Sequence, residues 1–313
     1  MWEVGQIFHF YYEKRGYGAV VSAAINKYIC VIVNRKFDDN IRVSYSKTEI
    51  VNSVEKIEHP TVRETLNLLD TEKGIEIVSI SDILSRGTGL GSSSSFVVTL
   101  LHALHNFKWE FVNQEELARE AVKIEREILN EPGGKQDQYM AAYGGVNFMK
   151  FKADGSVDTI PVISHDRNMK KIECSLFLLY TGRERKSSEI HTDRINSSRN
   201  KMDVYDKMKG LAEETFSAMC DGDTDALGKK MHENWLLKKS LSGKISDDWI
   251  DDLYSSAMRL GAKGGKIVDA GGGGFLLLVA ERDKHEMISR EIGLMKTDFK
   301  FCHSGSRVIF VGD

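Results

Sequence analysis

This chain contains little of what marks a linker-rich, secreted or metal-clustered protein. It has three prolines in 313 residues, so a proline-rich linker or recognition segment is excluded. Its four cysteines, Cys30, Cys174, Cys220 and Cys302, are far apart in sequence and do not have metal-ligand spacing. We interpret them as reduced thiols in a cytoplasmic protein.

The chain also lacks an excess of charge and a long apolar run. Lys and Arg number 43 against 46 for Asp and Glu, for a net charge of -3, and the two signs are interspersed. This pattern gives no electrostatic footprint for nucleic acid or an anionic membrane. The most apolar run, 275–280, is much shorter than the roughly 20 residues that span a bilayer, and the N-terminus does not resemble a signal peptide. We therefore expect neither a nucleic-acid nor a membrane partner.

Hydrophobic periodicity predicts a mixed α+β protein of two domains, which we place at 1–168 and 169–313. The predicted strands are rich in Val, Ile and Leu, and the first two are expected to pair around the turn at 38–40. The segments are strands at 18–34, 41–45, 74–80, 147–151, 157–162, 176–180, 275–279 and 306–311, and helices at 61–69, 114–129, 199–220, 225–239 and 247–260.

The most informative segment is Gly87-Thr-Gly-Leu-Gly-Ser-Ser-Ser-Ser95. Glycines let a polyanion approach backbone N-H groups, and serines cap helices whose free N-H groups and dipole attract negative charge. Phe96, Val97, Leu100, Leu101 and Leu104 follow with the spacing of one helix face. The pattern predicts a phosphate-binding loop that leads into a helix.

Two common glycine loops are excluded by the residues themselves. A Walker A loop needs Gly-Lys-Ser/Thr at its end, and a dinucleotide fingerprint needs glycine where this chain has Ser92. A flexible Gly/Ser linker is the remaining alternative. The apolar helix pattern that follows immediately argues against it.

Glu125 lies within the apolar stripe of the helix predicted at 114–129, whereas its neighbours Arg126 and Glu127 are predicted to face solvent. A carboxylate is costly to bury without a partner. One interpretation is a buried ion pair. The other is an oxygen ligand for Mg²⁺, which at nucleotides takes one or two protein oxygens plus phosphate.

Lys135 and Asp137 follow that helix in Gly133-Gly-Lys-Gln-Asp-Gln-Tyr139. Taken alone, Asp137 is most simply a turn former and Lys135 a solvated lysine. Beside a phosphate loop and a magnesium ligand, the aspartate could accept a proton from an attacking hydroxyl, and the lysine could offset charge on the transferred phosphoryl group.

A second glycine run, Gly271-Gly-Gly-Gly274, precedes the strand that begins at Phe275. It is consistent either with a tight turn that packs a helix on a sheet or with a wall of the ligand site. Arg183, Arg185 and Lys186 follow another strand and form either a solvated turn or a grip on an anionic substrate group.

The order of these motifs resembles the GHMP kinases, the superfamily of galactokinase, homoserine kinase, mevalonate kinase and phosphomevalonate kinase. The second family motif resembles 87–95 and the third resembles 266–275, with Glu125-Arg126 and Asp137 at the family spacing. Within the superfamily, Pro132-Gly-Gly-Lys-Gln-Asp-Gln-Tyr139 and Ala141-Ala-Tyr-Gly-Gly145 are most similar to D-glycero-D-manno-heptose 7-phosphate kinases and to the kinase part of fucokinases. The similarity runs from about Gly16 onward.

This resemblance implies an ATP-dependent sugar kinase. The implied fold has an N-terminal domain like domain 2 of ribosomal protein S5 and a ferredoxin-like C-terminal domain. Ser93 and Glu125 would hold Mg²⁺, and Asp137, assisted by Lys135, would act on the sugar hydroxyl, which in the heptose kinases is the anomeric one. The implied ATP-binding residues are Gly87, Gly89, Leu90, Gly91, Ser92, Ser93, Ser94, Gly272 and Gly273. We expect ATP and a sugar phosphate as small-molecule partners and leave a homodimer open.

Two features depart from the family pattern. The family opens with a strand and a loop like Arg-Ile-Ser-Phe-Ala-Gly-Gly-Gly-Thr-Asp, whereas here only 1–10 precede Tyr11-Tyr12, so we expect the first motif and its core strand to be missing. Val268-Asp269 stands where the third motif usually has Ser-Gly, and its carboxylate would repel phosphates unless it is paired or turned away. The alternatives are a fucose or hexose 1-kinase of the same superfamily and a non-catalytic nucleotide-binding member.

Overall fold

The computed structural model describes residues 2–6, 9–71, 73–82, 89–184, 190, 192–193 and 201–312, without the side chains of Trp2 and Gln6. The chain forms two compact units, each built from separate segments. The first unit comprises Met1–Asn26, Arg86–Leu90 and Gly145–His303, and the second comprises Lys27–Ser85, Gly91–Gly144 and Ser304–Asp313. The domain boundary after residue 168 stays a prediction.

The first unit contains two four-stranded antiparallel sheets, with strand orders β1-β2-β7-β8 and β10-β11-β9-β12. Their strands are β1 (Trp2–Gln6), β2 (Tyr17–Ala23), β7 (Val146–Lys152), β8 (Val157–Pro161), β9 (Leu176–Tyr180), β10 (Gly264–Ile267), β11 (Phe275–Val279) and β12 (Met295–Thr297). The predicted hairpin of β7 and β8 and the predicted strands β9 and β11 are confirmed.

Strand β1 corrects the expectation of a missing core strand. It pairs antiparallel with β2 along its whole length, and Val4 is fully buried. Gly5 has φ +129°, and a side chain there would meet the carbonyl oxygen of Ala19 at 2.2 Å, so glycine is required by close packing. A core strand therefore precedes Tyr11-Tyr12, although the glycine-rich sequence of the first motif does not follow it.

Three helices of the first unit were predicted from apolar periodicity, namely those that begin at Met202, Thr224 and Asp248. The described helices of this unit are α1 (His9–Arg15), α6 (Asp166–Ser175), α7 (Met202–Asp221), α8 (Thr224–Lys239), α9 (Asp248–Arg259) and α10 (His285–Ile292). Asp223 and Asp247 cap α8 and α9 by accepting hydrogen bonds from first-turn backbone N-H groups. None of the helices that the structure describes is long and apolar enough to cross a membrane.

The second unit has one sheet of order β3-β6-β4-β5. Its strands are β3 (Ile29–Arg35), β4 (Ile41–Ser44), β5 (Thr48–Val51) and β6 (Ile75–Ser81). The predicted pairing of β3 with β4 is wrong, because β6 lies between them, antiparallel to β3 and parallel to β4. This register places Ile41 opposite Ile75 and Val43 opposite Ile77, and all four side chains are buried.

The second unit also contains the helices α2 (Pro60–Leu68), α3 (Ser92–Phe107), α4 (Gln114–Val122) and α5 (Gln136–Tyr143). The single helix predicted at 114–129 is wrong in its second half, where a π-helical turn, Lys123–Ile128, replaces the α-helix. The strand predicted at 306–311 is also wrong. Ile309 and Phe310 are largely exposed there, and no strand of the described residues pairs with this segment.

Candidate active site

The predicted phosphate loop is described from Gly89 onward, and Gly87 lies outside the described residues. Gly89 and Gly91 have φ of +75° and +74°, left-handed conformations that glycine adopts without strain. Gly91 is the N-cap of α3, and no side chain caps this helix, so the expectation that a serine caps it is wrong. The first N-H groups of α3 therefore lack a side-chain partner at the N-cap, as an anion-binding helix N-terminus requires.

The serines of α3 point to Glu125 instead of capping their own helix. Ser93 Oγ donates to Glu125 Oε1 at 2.5 Å, and Ser94 Oγ donates to Glu125 Oε2 at 2.7 Å. These residues are more than thirty positions apart in the chain. The structure thus brings together Ser93 and Glu125, the two residues predicted to bind Mg²⁺.

Glu125 is positioned by the π-helical turn that follows α4. The wider turn is visible in the hydrogen bond from Leu129 N to Ile124 O at 2.9 Å, and Glu131 N donates to Glu125 O at 2.8 Å. The Glu125 side chain is 1% exposed. π-Helical turns occur frequently at functional sites because they alter the direction of side chains within a helix.

The donors to the Glu125 carboxylate are neutral: two serine hydroxyls and the amide of Gln138. Among the described residues no salt bridge involves Glu125, so the ion-pair interpretation finds no support there. A buried carboxylate without a cationic partner is costly. The interpretation of Glu125 as a metal ligand stays a prediction.

The donor set fits Mg²⁺ at a nucleotide. Ser93 Oγ and Glu125 Oε1 are hard oxygen donors that lie side by side, and Mg²⁺ in such sites takes few protein oxygens together with phosphate and water. No group of three or more His, Cys, Asp or Glu side chains suited to a metal occurs in the described part of the chain. A metal bound entirely by such protein ligands is therefore not indicated among these residues.

Asp137 lies in the first turn of α5, and Lys135 is the N-cap residue of this helix. Gln138, the next residue after Asp137, donates its amide to Glu125 Oε2 and is fully buried. The proposed metal ligand is thereby joined by one hydrogen bond to the helix that carries the proposed base. Sequence analysis did not identify Gln138, because its role depends on a contact across 13 positions.

A pair of tyrosines anchors α5 on α4. Tyr139 and Tyr143 donate to the two carboxylate oxygens of Glu115 at 2.8 and 3.1 Å. Burial and the Glu115 carboxylate raise the pKa of Tyr139 well above its ordinary value and that of Tyr143 to about 12. Both hydroxyls therefore remain protonated donors at neutral pH and hold the helix that carries Asp137.

Arg126 does not face solvent as predicted. Its Nε donates to Gly134 O at 2.9 Å and its Nη1 to Glu131 O at 3.3 Å, and 18% of the side chain is exposed. A Cβ at Gly133 would lie 3.1 Å from the guanidinium carbon, so this position requires glycine. Arg126 thus holds the loop between the π-helical turn and α5.

The second glycine run lies in the first unit, between β10 and β11. Asp269 has φ +54° and Gly272 has φ +76°, left-handed conformations that glycine adopts without strain and that strain the backbone of Asp269. The buried Lys238 donates its ammonium group to the carbonyl of Asp269. A Cβ at Gly89, which belongs to the same unit, would lie 3.2 Å from both Val268 and Asp269, so this turn packs against Gly89.

The Arg183 side chain is engaged within the first unit. Its Nη1 is 2.9 Å from Asp247 Oδ2, and its guanidinium lies 3.7 Å from the centre of the Trp249 ring. Its carbonyl accepts a hydrogen bond from Gly274 N at 2.8 Å, and a Cβ at Gly273 would lie 2.8 Å from the same carbonyl oxygen. Arg183 therefore supports the glycine run, while Arg185 and Lys186 lie outside the described residues.

Comparison with known proteins identifies the class. The model of the GHMP kinase N-terminal domain matches residues 48–145, and that of the GHMP kinase C-terminal domain matches residues 215–292. Together these segments cover more than half of the chain. The chain belongs to the GHMP kinase family.

Individual relatives agree with this assignment. The D-glycero-alpha-D-manno-heptose 7-phosphate kinase of Campylobacter jejuni is 28% identical over 306 residues, which cover 92% of this chain and 90% of the relative. A crystal structure of a D-glycero-D-manno-heptose 1-phosphate kinase from Bacteroides thetaiotaomicron has a TM-score of 0.78 at 24% identity and covers 97% of this chain and 95% of that one. Lactococcus lactis galactokinase has a TM-score of 0.79 at 15% identity, with coverage of 98% and 93%.

These comparisons confirm the predicted two-domain GHMP kinase fold and the predicted class, an ATP-dependent sugar kinase. The individual site residues remain predictions, which the local geometry now allows us to develop.

Proposed function

We propose that the chain transfers the γ-phosphoryl group of ATP to the anomeric hydroxyl of D-glycero-D-manno-heptose 7-phosphate. The observation that carries this proposal is the similarity to the Campylobacter jejuni heptose 7-phosphate kinase over nearly the full length of both chains. The reaction would be a step in the synthesis of nucleotide-activated heptose. The hydrogen-bonded Ser93–Glu125 pair, and the place of Asp137 beside Gln138 on α5, support a phosphoryl-transfer site.

In this proposal Asp137 accepts the proton of the anomeric hydroxyl as the hydroxyl oxygen bonds to the γ-phosphorus. The bond from that phosphorus to the bridging oxygen breaks, and ADP leaves. Lys135, at the start of the same helix, offsets charge on the transferred group. The proposed phosphate contacts are Gly87, Gly89, Leu90, Gly91, Ser92, Ser93, Ser94, Gly272 and Gly273.

Ser93 and Glu125 would hold Mg²⁺, which supplies charge neutralisation for the phosphates when it is bound. Ser94 and Gln138 keep the Glu125 carboxylate in place by hydrogen bonds to Oε2. We further propose a cytoplasmic location, with the four cysteines as reduced thiols, since no disulfide joins them in the described part of the chain. A homodimer remains open to measurement.

The alternative acceptor is fucose or another hexose. A bifunctional fucokinase/GDP-fucose pyrophosphorylase of Arabidopsis thaliana is 26% identical over 202 residues, which cover 63% of this chain but 19% of that protein. The missing glycine-rich loop of the first motif motivates a second alternative, a non-catalytic nucleotide-binding protein. The non-catalytic alternative loses support because β1, a paired core strand, precedes Tyr11-Tyr12.

The test is ADP release from Mg-ATP with D-glycero-D-manno-heptose 7-phosphate, with fucose, mannose and galactose in parallel reactions. We expect turnover with the heptose phosphate, and phosphorus NMR of the product should show a bisphosphate with an anomeric phosphate. Faster turnover with an unphosphorylated sugar would move the assignment to the hexose kinases. Nucleotide binding without turnover on any of these sugars would contradict a kinase with these substrates.

A further inference from the structure

Gln138 has a buried amide whose two ends differ in their contacts. Its side chain is fully buried, and its Nε2 donates to Glu125 Oε2. Its Oε1 is also buried and has no hydrogen-bond partner among the residues that the structure describes. Buried polar atoms are nearly always hydrogen-bonded, so this oxygen calls for an explanation.

The orientation of the amide follows from the chemistry of its neighbour. An ionised carboxylate can only accept hydrogen bonds, so the NH₂ group of Gln138 must face Glu125. The carbonyl oxygen is then directed away from Glu125, where it needs a donor. Ser94 already donates to Glu125 Oε2, so that carboxylate oxygen receives two hydrogen bonds, whereas Oε1 receives one from Ser93.

We infer that Gln138 is a positioning residue for the divalent cation. It fixes Glu125 Oε2, which leaves Oε1 directed to the cation beside Ser93, and its own Oε1 accepts a hydrogen bond from a water of the hydration shell of the cation. Mg²⁺ at nucleotides keeps several of its waters, which supply the missing donor. This inference rests on the proposed Mg²⁺ site at Ser93 and Glu125.

Two substitutions separate this role from simple packing. Gln138→Glu keeps the shape but places a second carboxylate against Glu125, so the two negative charges repel each other unless a cation bound beside Glu125 offsets them. Gln138→Leu removes both the donor and the acceptor. The control is Asn234→Asp, which introduces a carboxylate at another fully buried amide, in the first unit. Neither polar atom of the Asn234 side chain has a hydrogen-bond partner among the described residues.

The first readout is the melting temperature with ADP, measured in EDTA and over a range of Mg²⁺ concentrations. We expect Gln138→Glu to melt below wild type in EDTA and to recover with Mg²⁺. Asn234→Asp should melt at a lower temperature by the same amount under both conditions. A Gln138→Glu deficit that Mg²⁺ does not relieve would overturn the inference.

The second readout is the half-saturating Mg²⁺ concentration for ADP binding by calorimetry and, where wild type turns over, for the kinase reaction. Gln138→Leu should raise this concentration at least tenfold, with a smaller change in the affinity for ADP in EDTA. An unchanged Mg²⁺ requirement would overturn the inference even if wild type is an active heptose kinase. If no sugar is phosphorylated, the calorimetric shift still supports the role of Gln138 while the proposed function fails.

Discussion

Replacing Glu125 by glutamine tests the centre of the proposed site. The substitution keeps the volume of a side chain that is 1% exposed, removes the charge, and replaces one acceptor oxygen by an NH₂ donor. Three donors, from Ser93, Ser94 and Gln138, now meet this carboxylate. Hydrogen bonds to a charged acceptor contribute about 1 kcal/mol more than bonds to a neutral one, so the substitution forfeits roughly 3 kcal/mol.

The neutral side chain also avoids the cost of burying a charge, which is several kcal/mol per ion. The two effects oppose each other, so we expect the free energy of unfolding in EDTA to change by no more than about 2 kcal/mol. Activity should respond very differently. Loss of the cation ligand should lower kcat/KM about 10³-fold, equivalent to about 4 kcal/mol of transition-state stabilisation.

The assays are thermal unfolding with ADP, in EDTA and in Mg²⁺, together with steady-state kinetics on the sugar that wild type phosphorylates. Mg²⁺ should raise the melting temperature of wild type and leave that of Glu125→Gln nearly unchanged. Glu115→Gln is the matched control, because Glu115 accepts two tyrosine hydroxyls from α5 without contacting the proposed cation site. We expect it to lower stability and to keep the Mg²⁺ response.

A Glu125→Gln protein that unfolds far below wild type in both conditions, yet retains kcat when folded, would refute this reasoning. That result would make Glu125 a structural acceptor for three donors and not a metal ligand.

Four further predictions test other parts of the molecule. Asp137→Asn should lower kcat by about 10²- to 10⁴-fold and leave ADP affinity by calorimetry unchanged, and retained turnover would exclude it as the base. Gly89→Ala should destabilise the fold by about 1–2 kcal/mol and raise the KM for ATP, because φ is +75° and the new Cβ meets neighbours at 3.2 Å. The control Gly16→Ala, at φ +81° with open space around the new Cβ, isolates the backbone strain and should leave the KM for ATP unchanged. Asp269→Gly should relieve about 1 kcal/mol of backbone strain at φ +54° and lower the KM for ATP. An unchanged KM for ATP in both Asp269→Gly and Asp269→Asn would show that the carboxylate does not act on the phosphates. Burial lowers the pKa of His285 below its ordinary value, so the unfolded chain binds the proton first as pH falls, and the stability that is present above about pH 6.5 is lost below it. The variant His285→Phe should flatten this pH dependence in melting curves measured across pH, and an unchanged slope would contradict the assignment.

Elements with strong local patterns were predictable from the chain. Strands β9 and β11 begin and end at the predicted residues, since continuous runs of Leu, Phe and Val bounded by turn residues specify buried strands. The pairing of β3 and β4 was not predictable, because β6 comes from a later part of the chain and displaces the expected neighbour. The apolar run at 306–311 shows the same limitation, since a strand requires a neighbour to pair with and this segment has none among the described residues.

The residue pattern alone predicts the chemistry of the site, from the glycines and serines before α3, an acidic residue in an apolar stripe, and a Gly-Gly-Lys-Gln-Asp-Gln segment within a residue of the family spacing. These are local patterns of residue type and order. Three sets of contacts are visible only in the tertiary structure. The serine hydroxyls and the Gln138 amide donate hydrogen bonds to the Glu125 carboxylate, and Arg126 holds the intervening loop. Such contacts depend on the π-helical turn and on the packing of α3, α4 and α5, because hydrogen bonds between distant residues form only where the whole fold places donor and acceptor within about 3 Å.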